Sequence, residues 1–128
     1  MVAWSEYMQT AKSRGALALE LFVVESLPGG TAADVKANLP DHLAYQRTLE
    51  ERNILVLAGP LSDASGKEMQ GAGLIVYRAT SMDEAQKLAE NDPMHKSGAR
   101  SFTLRKWLVN EGSLNISIGL STGRVSLD

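Results

Sequence analysis

Cysteine is absent from the 128 residues, which excludes a disulfide framework, a zinc–thiolate site and a cysteine nucleophile. A reducing cytoplasm suits such a chain. A basic surplus is missing too: 13 Lys and Arg stand against 15 Asp and Glu, a formal net charge of -2. With so little to neutralise phosphates, nucleic-acid binding is not expected. The apolar run 16–24 follows Lys12 and Arg14 but contains Glu20 and precedes no Ala-x-Ala-like cleavage site. It also falls well short of the ~20 apolar residues of a membrane helix, so neither a signal peptide nor a membrane contact is expected. The Gly-x-Gly-x-x-Gly, Walker, Gly-x-Ser-x-Gly and His-Glu-x-x-His motifs are all missing; Gly29-Gly30 and Gly71-Ala72-Gly73 read as turn and strand-entry glycines.

What is present has the balance of a soluble globular protein, 44% hydrophobic and 22% charged, at a length suited to one domain with a real core. Residues 3–14 space Trp4, Tyr7, Met8 and Ala11 as a short amphipathic helix that stops at Gly15. From 17 to 23 the period changes to two, with Leu17, Leu19, Leu21 and Val23 on one face and Ala18, Glu20, Phe22 and Val24 on the other. Pro28-Gly29-Gly30 ends this strand. Residues 31–38 read as a loop or a single helical turn. A firmer helix follows from Pro40, at a first-turn position, to about Asn53, with Leu39, His42, Leu43, Gln46 and Leu49 on one side. A short buried-type strand is expected over 54–58, a polar loop over 62–70 and a strand over 74–77. Ser81-Met82-Asp83-Glu84 has the spacing of a capping box, and its helix should end before Pro93. A strand over 101–109 alternates Phe102, Leu104, Lys106 and Leu108 with Thr103, Arg105, Trp107 and Val109, and 114–120 alternates again as a tail strand.

The resulting order, helix then β-α-β-β-α-β, predicts an α+β, ferredoxin-like domain: an antiparallel sheet with both helices on one face. The whole chain is read as one domain, with its core over about 16–109, the helix in 1–15 and an extension over 110–128. The uncovered sheet face should carry Phe22, Trp107 and other large groups. Such a face wants a partner, and a homodimer that closes two sheets together is the natural solution.

Two histidines are available for acid–base chemistry near neutral pH, His42 and His95. His42 has two readings: a helix histidine satisfied by a backbone carbonyl, or an acid/base or ligand-binding group with Tyr45 and Gln46 beside it. Asp92, in Asn91-Asp92-Pro93, is either a helix-exit turn former or a partner for His42. His95 reads as structural or exposed, since two histidines and a carboxylate make a weak metal set; no metal ligand is assigned. Glu20 reads as an interface group or a pocket carboxylate, and Trp107 as interface or pocket wall.

Several stretches together resemble the YCII-related family: Leu-Pro-Asp-His-Leu-Ala-Tyr (39–45), Leu-Ala-Gly-Pro-Leu (57–61), Gly-Leu-Ile-Val-Tyr (73–77), Ser-Met-Asp-Glu-Ala (81–85), Asn-Asp-Pro-Met (91–94) with Gly98, and Phe-Thr-Leu-Arg-Lys-Trp (102–107). The resemblance covers about 20–109 and implies a dimeric α+β barrel with a histidine–aspartate pair in a pocket, mapping onto His42 and Asp92. Tyr45, Gln46 and Trp107 are the expected substrate-binding neighbours. The implied function is a cofactor-independent isomerase or a lyase of the dehydrochlorinase kind, with no metal; the alternative is a non-catalytic dimeric module that binds a small ligand. Two positions depart from the family pattern. Leu39 stands where many members carry arginine, so no anion-binding arginine is expected there, and Met94 stands where many carry an aromatic residue.

Overall fold

The computed structural model describes residues 1–128. In chain order its elements are α1 (Trp4–Ser13), β1 (Leu19–Pro28), α2 (Ala32–Glu51), β2 (Leu55–Ser62), β3 (Met69–Tyr77), α3 (Met82–Glu90), α4 (Pro93–Lys96), β4 (Arg100–Val109), β5 (Ile116–Ile118) and β6 (Val125–Leu127). They form two compact units, Glu20–Trp107 and a second built from Met1–Leu19 and Leu108–Asp128.

In the larger unit the four strands take the order β2-β3-β1-β4, with β1 and β2 both antiparallel to β3. This is the ferredoxin-like α+β arrangement expected from the sequence. Register decides the two faces. Phe22 lies opposite Tyr77 and Val24 opposite Ile75, and these four share a buried cluster with Leu49 of α2 and Ala85 and Ala89 of α3. Phe22 is therefore on the helix-covered face, not the open one. Alternation groups residues by face but cannot name the covered side. The small Ala85 and Ala89 leave the volume that Phe22 and Tyr77 fill. Burying each large apolar side chain here contributes about 1.5–3 kcal/mol. The opposite face carries Val23, Leu74, Leu57 and, by alternation, Trp107, with Leu57 and Trp107 exposed.

Three local expectations change. α2 begins at Ala32, eight residues before Pro40, because Thr31 and Asp34 close a capping box: the Asp34 amide donates to Thr31 Oγ1 and the Thr31 amide donates to Asp34 Oδ2. Pro40 thus sits inside the helix; both it and Lys36, whose carbonyl loses its amide donor, are exposed to water. The helix ends with Asn53 at φ +59°, where the Ile54 amide donates to the Leu49 carbonyl and the Asn53 amide to that of Glu50. β2 is a largely exposed edge strand rather than a buried one and runs through Gly59-Pro60, since an edge tolerates a residue without N–H. At α3, Ser81 accepts from the Glu84 amide, but the Glu84 carboxylate reaches past Ser81 to the Thr80 amide and hydroxyl.

In the smaller unit, α1 ends in a Schellman motif. The Ala16 amide donates to the Ala11 carbonyl and the Gly15 amide to that of Lys12, with Gly15 at φ +81°. The tail alternation becomes β5, which pairs antiparallel with β6 in its own two-stranded sheet instead of extending the main one.

Candidate active site

The stripe that α2 turns inward is His42, Tyr45, Gln46 and Leu49, at the three- and four-residue spacing of one helix face. Leu49 is fully packed, whereas Leu39 and Leu43 stay half-exposed. Asp92 lies at the junction of α3 and α4. It is completely buried and caps α4, accepting from the Met94 amide at 3.0 Å, with Pro93 in the first-turn position. The two readings of this residue are therefore not exclusive: the turn geometry holds its carboxylate in place, and the same carboxylate meets α2. His42 Nδ1 lies 2.7 Å from Asp92 Oδ1 and 2.9 Å from Oδ2.

An ionised carboxylate only accepts, so His42 Nδ1 carries the proton and donates. The neutral ring then keeps its basic lone pair on Nε2, at the far edge from Asp92. His42, with 15% of its side chain exposed, lines a cavity of about 400 Å³ that Gln46, Leu43, Ile75 and Met94 also line. Tyr45 and Trp107 do not line it. The Tyr45 hydroxyl reaches across to the Leu88 carbonyl of α3, which accepts from it at 2.7 Å, and burial pushes that phenol above its ordinary pKa, with the Asp92 charge adding. Trp107 is on the opposite sheet face, beside the Arg105–Glu25 ion pair. Glu20 pairs with Lys106 at 3.4 Å.

Sequence reasoning assigns no role to Ser26 or Arg100 and reads His95 as structural or exposed. Ser26, Arg100 and His95 join the end of β1 to the start of β4 and to α4. Arg100 Nε donates to Ser26 Oγ at 2.8 Å, and Ser26 Oγ lies 2.8 Å from His95 Nε2. His95 Nδ1 is 2.8 Å from the Ala89 carbonyl, and its ring tilts against Phe102 with centroids 4.7 Å apart. A signal existed for Ser26: it continues the phase of Phe22 and Val24 on the covered face, where a polar group needs a partner. Arg100 opens β4, one residue before the strand that alternation predicts over 101–109. No group of three or more His, Cys, Asp or Glu side chains is arranged to hold a metal ion.

Fold and site together define a ferredoxin-like α+β domain with a histidine–aspartate pair, its aspartate buried, beside a largely apolar cavity. Residues 6–108 match the YCII-related domain, and the chain belongs to the YCII-related family. The match begins inside α1, so the family region extends further toward the N-terminus than the motifs alone had suggested. The chain is 32% identical over 66 residues to the uncharacterized protein YjpA of Bacillus subtilis (strain 168), covering 52% of this chain and 71% of that protein. Among solved structures it is similar to 5-chloro-2-hydroxyhydroquinone dehydrochlorinase (TftG) from Burkholderia phenoliruptrix AC1100, in complex with 2,5-dihydroxybenzoquinone. That similarity has a TM-score of 0.53 and 26% identity, and covers 68% of this chain and 92% of the other.

Proposed function

We propose that this chain is a cofactor-independent small-molecule enzyme, an isomerase or a lyase of the dehydrochlorinase kind, in which His42 is the acid/base and Asp92 orients it. The observation that carries this reading is the 2.7 Å contact between His42 Nδ1 and Asp92 Oδ1 at the wall of an apolar cavity. The similarity to a dehydrochlorinase supports the same class. Neutral His42 takes a proton from the substrate at Nε2, and Asp92 stabilises the imidazolium that forms. In an isomerisation His42 returns that proton to a different carbon. In an elimination the electron pair of the broken C–H bond becomes the new π bond as the leaving group departs with its own pair. Gln46, one turn along α2 from His42 and lining the same cavity, holds a substrate oxygen in this reading.

The working unit in this reading is a homodimer closed through the sheet face that carries Leu57, 60% exposed, and Trp107, 45% exposed. Light scattering on the eluting protein should give twice the 13.8 kDa chain mass, and Trp107→Glu should halve it. The whole chain is read as one functional domain. Its lack of cysteine suits the cytoplasm, and no helix is long and apolar enough to cross a membrane.

The test is turnover of a panel of lactones from aromatic degradation and of chlorinated quinols. His42→Ala should lower kcat by about 10²–10⁴-fold, with Asp92→Asn between the two. Undiminished turnover in His42→Ala would remove the mechanism. Binding by the wild type without turnover of any compound would leave a ligand-binding module in its place.

A further inference from the structure

Arg100 adds a permanent positive charge to the wall of the cavity that His42 lines. None of its hydrogen-bond acceptors is charged. Nε donates to Ser26 Oγ at 2.8 Å, and Nη2 donates to the Ser26 carbonyl at 2.8 Å and to the Gly71 carbonyl. Asp92 acts on the guanidinium only through space, because its carboxylate is occupied by His42 and the Met94 amide. Nη1 takes part in none of these bonds.

The donors along this chain of contacts follow from valence. The Ala89 carbonyl can only accept, so His95 Nδ1 carries the proton and Nε2 is an acceptor. Ser26 must then donate its proton to His95 Nε2, which leaves the serine oxygen free to accept from Arg100. Burial pulls His95 below its ordinary pKa, in keeping with this neutral tautomer. The network fixes the guanidinium in place and leaves its charge unmatched. Burial likewise pulls Arg100 below its ordinary pKa, the mark of a cation removed from water without a full counter-charge. The same cavity wall is largely apolar and includes Val35, Leu39, Ile75 and Met94. A half-buried, immobilised cation in the wall of a largely apolar cavity is the arrangement that recognises an anion.

We propose that Arg100, held by Ser26 and His95, is an anion subsite of the His42 cavity, and that the ligand is a one-ring organic acid or acidic phenol that sets an ionised oxygen on the guanidinium. The volume, about 400 Å³, suits a single substituted ring. His95 is a positioning residue in this scheme: it takes the Ser26 proton and so aims the serine oxygen at Arg100. The inference shares its cavity with the enzyme reading above, yet concerns binding alone, and either can fail without the other.

The experiment measures affinities of the full-length protein for matched pairs at pH 8: benzoate against benzamide, and 4-nitrophenolate against 4-nitroanisole. In the wild type at least one anion should bind roughly tenfold or more tighter than its neutral twin, the usual scale of a charge-assisted bond. Arg100→Gln should erase that preference, Arg100→Lys should keep part of it, and Ser26→Ala should reduce it. Preference for benzoate alone would mark the natural ligand as a carboxylate, and preference for 4-nitrophenolate alone would mark it as a phenolate. The Arg100 Nε–H resonance should move with the anion and not with the twin, a readout that stands even if Arg100→Gln does not fold. Failure of every anion to bind the wild type, equal affinity for twins, or an unmoved Nε–H signal would overturn the proposal.

Discussion

Asp92→Ala offers the most demanding test of the His42–Asp92 pair, because the carboxylate does two separable things. It caps α4 through the Met94 amide, and it accepts from His42. Loss of an N-cap acceptor costs about 1 kcal/mol. Loss of a hydrogen bond to a charged group costs about 1.5–3 kcal/mol. Asp92 is completely buried, so water does not replace it, and the sum is about 3 kcal/mol. Unfolding entropy of roughly 2.1 cal/mol/K per residue over 128 residues converts each kcal/mol to about 4 °C, so Tm should fall by about 10 °C or more. His42→Ala should cost about as much for a different reason: the carboxylate stays buried with only the Met94 amide to offset it. Asp92→Asn keeps an acceptor for the cap and loses the charge, and should fall between the wild type and Asp92→Ala. Urea unfolding followed by tryptophan fluorescence, at one fixed protein concentration, would measure all four corners of the double-mutant cycle. Coupling between His42 and Asp92 should be about 1.5–3 kcal/mol. A coupling below about 0.5 kcal/mol, within the scatter of independent sites, would mean that Asp92 is only a cap and that the pairing has no energetic weight.

Three further outcomes follow from the same geometry. His95 is pulled below the ordinary histidine value of 6.5 chiefly by burial; Ala89 and Asp92 oppose this, while His42 and Arg100 add to it. The stability it contributes is therefore fully present above that value and is lost as pH falls below it toward the lower folded value. Wild type should weaken more steeply than His95→Gln between pH 7.5 and 5.5 in urea melts, and parallel slopes would refute the assignment. Gly71 has φ +90°, and a Cβ there would lie 2.7 Å from Pro28 Cγ. Gly71→Ala should thus cost about 1–2 kcal/mol or more and also weaken benzoate binding, because its carbonyl helps to hold Arg100; calorimetry reads both. The Tyr77 hydroxyl is buried with no partner among the protein groups, and burial with the nearby Asp92 charge drives its pKa far upward. Tyr77→Phe should therefore change stability by less than about 1 kcal/mol or improve it, and a loss above about 2 kcal/mol in the same melts would show a bond to that oxygen.

Periodicity and capping chemistry are local, and the chain carries them openly. The period-two runs around Phe22 and Phe102, the helical spacing through His42 and Leu49, and the stop at Pro93 were sufficient for the order of elements and the ferredoxin-like class. They also put His42 on the inward side of its helix, because that depends on only a few residues at fixed angular spacing. The start of α2 is equally local, but in the linear pattern Pro40 outweighs the Thr31–Asp34 box that sets it. Which side of β1 the helices cover was not local at all. It follows from Ala85 and Ala89, more than sixty residues away in the chain, making room for Phe22. The site divides in the same way. That His42 and Asp92 belong together was suggested by family motifs, but their 2.7 Å contact, fifty positions apart in sequence, exists only because α2 and the α3–α4 junction pack side by side. Tyr45 turned away to Leu88, and Ser26, His95 and Arg100 converged from three separate segments. Sequence by itself determined the elements and the chemistry each carries, through short-range sterics and spacing. Tertiary packing alone decided which polar groups converge on one cavity, because hydrogen-bond geometry between distant segments is set by the core that joins them.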